Sequence, residues 1–120
     1  MKIAEIAELL EAAQVTPGRE ETSEIISVFA GDLMSDVLAM VQDNPETTLL
    51  VTGLCNMQTL NTVEMLDIAN IVFCRGKFPS DQMINSANNR GIAIYCTDKA
   101  LYEVCGKLYI KGLEVVKYEE

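Results

Sequence analysis

Apolar positions along this chain fall into two alternating rhythms. Residues 2–14 place Ile3, Ile6, Leu9 and Leu10 at helical spacing, with Ala4, Ala7, Ala12 and Ala13 filling in, and so predict an amphipathic helix. Val15-Thr16-Pro17-Gly18 breaks it, and 19–22 reads as a charged turn. The segment EIISVF over 24–29 is short and rich in β-branched residues, which predicts a strand. Ala30-Gly31-Asp32 then turns the chain into a second helix over 33–41. It presents Leu33, Val37, Leu38 and Val41 on one face and ends at Asp43-Asn44-Pro45.

From there strand and helix alternate. Strands are predicted over 47–51, 71–74 and 92–96, and helices over 58–66, 81–89 and 99–108. Gly91 and Gly112 stand where helix C-caps belong, while Ser80 and Thr97 or Asp98 suit N-caps. The strands are continuous apolar runs, as strands covered on both faces are. This order predicts right-handed crossovers and an α/β fold, a three-layer α/β/α sandwich with a mostly parallel sheet of about four or five strands. The tail LEVVKY over 113–118 adds a candidate edge strand. At 120 residues the whole of 1–120 is expected to form one domain.

Charge and composition narrow the function. The net charge is −9, and the nine basic residues form no cluster and no alternation with aromatics, so neither nucleic acid nor an anionic membrane surface is an expected partner. Glu5, Glu8 and Glu11 interrupt the N-terminal apolar positions, so that segment reads as a helix and not as a secretory signal. Four cysteines lie inside apolar segments without a C-x-x-C spacing, which suits reduced thiols in a cytoplasm. Histidine is absent, and with it go Ser-His-Asp and Cys-His catalysis and histidine zinc sites. No catalytic residue, cofactor or metal is expected.

In an open parallel sheet, ligands bind beyond the carboxyl ends of the strands. Four loops should meet there, and they supply the candidate ligand-binding residues: Gly31 and Asp32; Thr52, Gly53 and Asn56; Arg75 and Gly76; Thr97 and Asp98. Helix N-termini follow these loops and favour an anion. Arg75 and Lys77 flank Gly76, where a backbone can be approached closely. The competing reading is that the glycines serve turns, the polar residues cap helices, and Arg75 pairs with a carboxylate such as Asp98. No Walker motif or G-x-G-x-x-G occurs. Cys55, Cys74 and Cys96 each fall at or just after a strand end, either as buried thiols or as redox or metal groups. Asp32 and Asp36 stand about one helical turn apart, spaced for Mg²⁺ or simply for a solvated helix start. Met34, Met40, Met57, Met65 and Met83 fall on or beside apolar helical faces and read as core filling.

The segments FAGDLMSDVLA, LLVTGLCNMQTL, VEMLDIANIVFCRGKFPSDQMINSANNRGIAIYCT and YEVCGKLY, in this order and spacing, resemble the DRTGG domain family over roughly 29–113. Where that family often carries Thr-Gly-Gly, this chain has Cys74-Arg75-Gly76. The domain is similar to the N-terminal domain of HPr kinase and to accessory modules of phosphotransacetylases and CBS-domain pyrophosphatases. The resemblance implies a regulatory module without catalytic residues of its own that pairs with a second copy. The expected function is thus a stand-alone regulatory module binding a small anionic metabolite or nucleotide through a homodimer. The alternatives are an interaction domain without a small ligand, and a thiol-redox or metal protein using the strand-end cysteines.

Overall fold

A computed structural model of the chain describes residues 1–16, 23–40 and 43–116. Among them run α1 (Ile3–Leu10), β1 (Ala13–Gln14), β2 (Ser27–Ala30), α2 (Met34–Met40), β3 (Thr48–Thr52), α3 (Met57–Leu66), β4 (Asn70–Phe73), α4 (Asp81–Arg90), β5 (Ala93–Cys96), α5 (Leu101–Ile110) and β6 (Glu114–Val115). A single 3₁₀ turn, Pro45–Thr47, leads into β3. The strands form a six-stranded sheet in the order β1-β5-β4-β3-β2-β6. All neighbours are parallel except β1, which runs antiparallel to β5 with Ala13 opposite Cys96.

The mostly parallel α/β/α sandwich predicted from the sequence is the architecture observed. Strands β3 and β4 are buried along their whole length, as their apolar runs require. Successive side chains point to opposite faces of the sheet, so each strand feeds two cores. Met34 and Val37 of α2, Leu60 and Val63 of α3, and Met83 and Ala87 of α4 pack against Leu50, Ile71, Phe73 and Ile94 on one face. Ile3, Ile6 and Leu10 of α1, with Val104 and Leu108 of α5, cover Leu49, Val51, Val72 and Tyr95 on the other. Three helices thus lie on one side of the sheet and two on the other.

Several boundaries differ from the sequence reading. The first helix ends at Leu10 and not at Gln14, because Glu11 adopts the left-handed conformation (φ 52°) and Ala12 donates back to the Ala7 carbonyl. Ala13–Gln14 is then free to pair with β5, a strand the sequence reading had placed inside the helix. With β6 this raises the sheet above the four or five strands expected. Strand β2 begins at Ser27, and Glu24 instead forms an isolated bridge with Lys2. In α2 the buried face is Met34 and Val37, while Leu33 and Leu38 are exposed. Met65 is also exposed instead of filling the core.

Of the expected caps, Ser80 accepts from Met83 N at 3.2 Å, and Gly91 ends α4 at φ 74°. Gly112 carries its left-handed angle (φ 89°) one residue beyond the α5 cap, Lys111. Neither Thr97 nor Asp98 caps α5; its N-cap is Ala100, so that helix starts at Leu101 and not at 99. The last two residues of the predicted break at 15–18, the turn at 19–22, Val41 and the last two residues of the 113–118 strand lie outside the described residues.

Thr97 serves instead as a brace between layers. Its side chain is buried, with Oγ1 donating to the Leu10 carbonyl at 2.7 Å and accepting from Lys99 N at 3.3 Å. It therefore ties the end of α1 to the loop after β5. Replacing Thr97 by Val leaves the buried Leu10 carbonyl without this donor and should lower stability by about 1–3 kcal/mol. Urea denaturation at constant slope measures the loss; an unchanged midpoint would show that the brace contributes nothing.

Candidate functional site

Because β2, β3, β4 and β5 are parallel, the loops that follow them share one edge of the sheet. The structure divides the predicted site residues at that edge into two groups and a remainder.

The first group centres on Asp32. Its Oδ1 accepts from Gly53 N at 2.8 Å and from Thr52 Oγ1 at 3.0 Å, and its Oδ2 lies 3.7 Å from Arg75 Nη2. The Arg75 backbone is in the left-handed region (φ 62°), with its N–H donating to the Lys99 carbonyl. Its guanidinium lies across Gly53, where a β-carbon would collide with Nη2 and sit 2.9 Å from Cζ. Gly53 is therefore required by the passage of an arginine, and its φ is not positive. The ion pair is between side chains 52% and 47% exposed, so water screens it and its contribution is about 0–1 kcal/mol. Arg75 thus pairs with a carboxylate two strands away, and Asp98 is not its partner.

The second group gathers where the winding reverses. The chain leaving β4 passes to α4 on one face, and the chain leaving β5 passes to α5 on the other. The adjacent carboxyl ends of β4 and β5 are thus the topological switch point, the place where ligands enter open α/β sheets. A hollow of about 250 Å³ lies there, lined by Gly76, Lys77 and Phe78 from one loop, Cys96, Thr97 and Asp98 from the other, and Glu11 and Ala13. Its floor is stitched by Gly76 N donating to the Thr97 carbonyl at 3.0 Å.

The remaining candidates, Asn56 and Gly31, make local structural contacts. Asn56 caps α3, its Oδ1 accepting from Thr59 N at 3.0 Å. Gly31 donates its N–H to the Val51 carbonyl and leaves only 3.3 Å between a would-be β-carbon and the Phe29 ring. Lys77 was foreseen as charge beside Gly76, but Phe78, Glu11 and Ala13 were not placed at the site. Glu11 and Ala13 reach it only because α1 stops early and β1 joins β5, which the helical spacing of 2–14 conceals. A larger hollow of about 480 Å³ lies at the opposite, amino-terminal edge beside Ile26, Asp43, Glu46 and Glu114, where the carboxylates repel an anion.

The strand-end cysteines are separated by the sheet. Cys74 is buried in the core beneath α1 and α5, while Cys55 and Cys96 border the core beneath α2, α3 and α4. Burial pushes the Cys74 thiol up to about 11, with small additions from Cys105 and Asp32, and pushes Cys96 up to about 12. Burial raises Cys55 as well, against a smaller downward pull from Lys77, and raises Cys105. Nucleophilic and metal-binding chemistry needs the thiolate, and all four sites disfavour it. Among the described residues, no three Cys, Asp or Glu side chains stand together as metal ligands. Asp32 is already engaged by Thr52, Gly53 and Arg75, and among the described residues no helix is long and apolar enough to cross a membrane.

Comparison with known proteins adds a fold relative. No protein-family model matches the chain, and no curated protein does. Among solved structures it matches the CBS and DRTGG domains of the regulatory region of Clostridium perfringens pyrophosphatase, a structure complexed with the activator diadenosine tetraphosphate. The TM-score is 0.67 at 12% identity, over 89% of this chain. The chain shares its fold with part of that regulatory region. It spans 45% of the matched chain's length.

The thiol environments yield a pH dependence. A cysteine ionises near 9.0 when unperturbed, whereas folded Cys74 and Cys96 hold their protons to about 11 and 12. Below about 9 both states are protonated and stability is unaffected; above it the unfolded chain loses protons that the folded chain keeps, so stability falls. The thermal midpoint should drop as pH rises from 9 through 11, and less steeply in a Cys74→Ala/Cys96→Ala variant. Alkylation of the folded protein at mildly alkaline pH should leave both thiols largely unmodified. Rapid labelling of either would refute the assignment.

Proposed function

We propose that this chain is a single DRTGG-like regulatory module, non-catalytic and cytoplasmic, that binds a small anionic metabolite or nucleotide at the carboxyl edge of its sheet and works as a homodimer. The observation that carries the reading is the Arg75 guanidinium. It is half-exposed, laid over a glycine, and held by one screened contact of 3.7 Å to Asp32. An arginine fork binds phosphate or carboxylate through paired hydrogen bonds that a distant, solvated carboxylate does not match. An anion therefore competes with Asp32 on favourable terms. Lys77 and the hollow between the β4 and β5 loops lie on the same edge of the sheet, although the guanidinium itself turns away from that hollow toward Gly53 and Asp32. The pyrophosphatase region with the same fold was crystallised with a polyphosphate activator, which supports the ligand class.

A second reading, an interaction domain without a small ligand, is favoured by one specific observation. The N–H groups of Gly53 and Gly76, two of the candidate ligand-binding residues, already donate to Asp32 and to the Thr97 carbonyl.

Calorimetric titration of ATP, acetyl phosphate and diadenosine tetraphosphate, preceded by a thermal-shift screen, separates the two. Stabilisation grows as RT ln(1 + [L]/Kd), so weak ligands register at high concentration. Arg75→Ala should weaken binding by about 1.5–3 kcal/mol, more than tenfold. Asp32→Asn should tighten it, since the amide oxygen still accepts from Gly53 while the competing charge is gone. If no probe binds, or if Arg75→Ala binds as well as wild type while folded, the anion site is lost and the interaction reading takes its place.

A further inference from the structure

Helix α5 holds to the sheet by Val104 and Leu108 and turns an apolar stripe outward. Tyr102 is 91% exposed, Tyr109 71% and Ile110 84%. Tyr102 and Ile110 lie four residues from Gly106 and Tyr109 three, so they share one face of the helix. The solvent face of a surface helix is ordinarily charged or polar. At the centre of this stripe stands Gly106, and a β-carbon built there meets no atom within 4 Å. Its φ is not positive, so the backbone does not call for glycine either. Glycine inside a helix is destabilising relative to alanine. Nothing within the described residues compensates for it. What glycine permits at an exposed helix centre is the close approach of another backbone.

We propose that α5 docks antiparallel on α5 of a second copy of this chain, crossing at Gly106. The inference rests on the homodimer reading and names its surface. A two-fold axis through Gly106 sets each residue before it against the residue equally far after it, as an isologous interface demands. Tyr102 then meets the partner's Ile110, an aromatic ring on an aliphatic side chain, at both ends of the crossing. Glu103, paired within its own chain with Lys99 at 3.6 Å and Lys107 at 4.0 Å, faces the partner's Tyr109, and the antiparallel helix dipoles attract. Elsewhere a chain of net charge −9 repels its copy, but within α5 Glu103 is balanced by Lys107, so this face is not acidic. Two exposed tyrosines and an isoleucine offer on the order of 500 Å². That is more than half of the roughly 800 Å² each partner gives to a standard interface.

The test is analytical ultracentrifugation of the full chain over a wide concentration range, with thermal unfolding measured at the dilute end. Wild type should dimerise. Gly106→Ala should raise the dimer dissociation constant more than tenfold while raising the monomer's thermal midpoint, because alanine favours the helix but its methyl group blocks the crossing. Opposite signs on the two readouts cannot come from a damaged fold. Tyr109→Ser should weaken the dimer with little change in the midpoint. A dimer unaffected by either substitution would overturn the α5 interface and leave the homodimer reading standing. A wild-type monomer at all concentrations would overturn both.

Discussion

Each stretch joining two parallel strands must return to the amino-terminal edge of the sheet, and it does so with a right-handed sense. Here β2, β3, β4 and β5 stand side by side in chain order, so three successive crossovers lay α2, α3 and α4 on one face. A sheet with these strands cannot stop there. Leu49, Val51, Val72 and Tyr95 point the other way and would face water. The chain resolves this by sending α5 across the second face to place β6 on the far side of β2, alongside α1. One reversal of direction thus completes the core, and it also parts the loops after β4 and β5. The crevice that topology dictates is where the hollow lined by Lys77, Thr97 and Asp98 occurs.

The sheet and its helices were legible in the sequence because period and composition report burial directly. The runs TLLVT and NIVF are buried on both faces and read as such. The failures share a cause: they depend on contacts distant in sequence. Helical spacing continues through Ala12 and Ala13, yet the helix stops at Leu10 because Thr97, far along the chain, ties down its last carbonyl and β5 offers an edge to residues 13–14. In α2, Leu33 and Leu38 satisfy a helical face as well as Met34 and Val37 do, and only the position of the sheet selects between them.

The site was legible at the level of loops and not of partners. Parallel strands guarantee that 31–32, 52–56, 75–76 and 97–98 share an edge, and they do. Which side chain reaches which loop is a matter of direction. The competing reading paired Arg75 with a carboxylate such as Asp98 from the neighbouring strand end, but its guanidinium turns across Gly53 to Asp32. The sequence shows a glycine and an arginine twenty-two positions apart and gives no sign that one makes room for the other.

On the proposed reading, that arrangement bears on how an edge of an acidic protein would serve an anion. Long-range repulsion from a net charge of −9 is screened within about 8–10 Å at physiological salt, so the groups in contact decide binding. Asp32 lowers the local positive potential, which weakens non-specific attraction, and at the same time biases the guanidinium toward its place over Gly53. On the proposed reading an incoming phosphate would meet a fork already biased in direction, losing somewhat less side-chain entropy on contact. It gains what the 3.7 Å contact to Asp32 does not supply, two short charge-assisted hydrogen bonds in the guanidinium plane. On the proposed reading Asp32 is thus both rival and preorganiser of the ligand. The glycine beneath the arginine is what allows one residue to hold both roles.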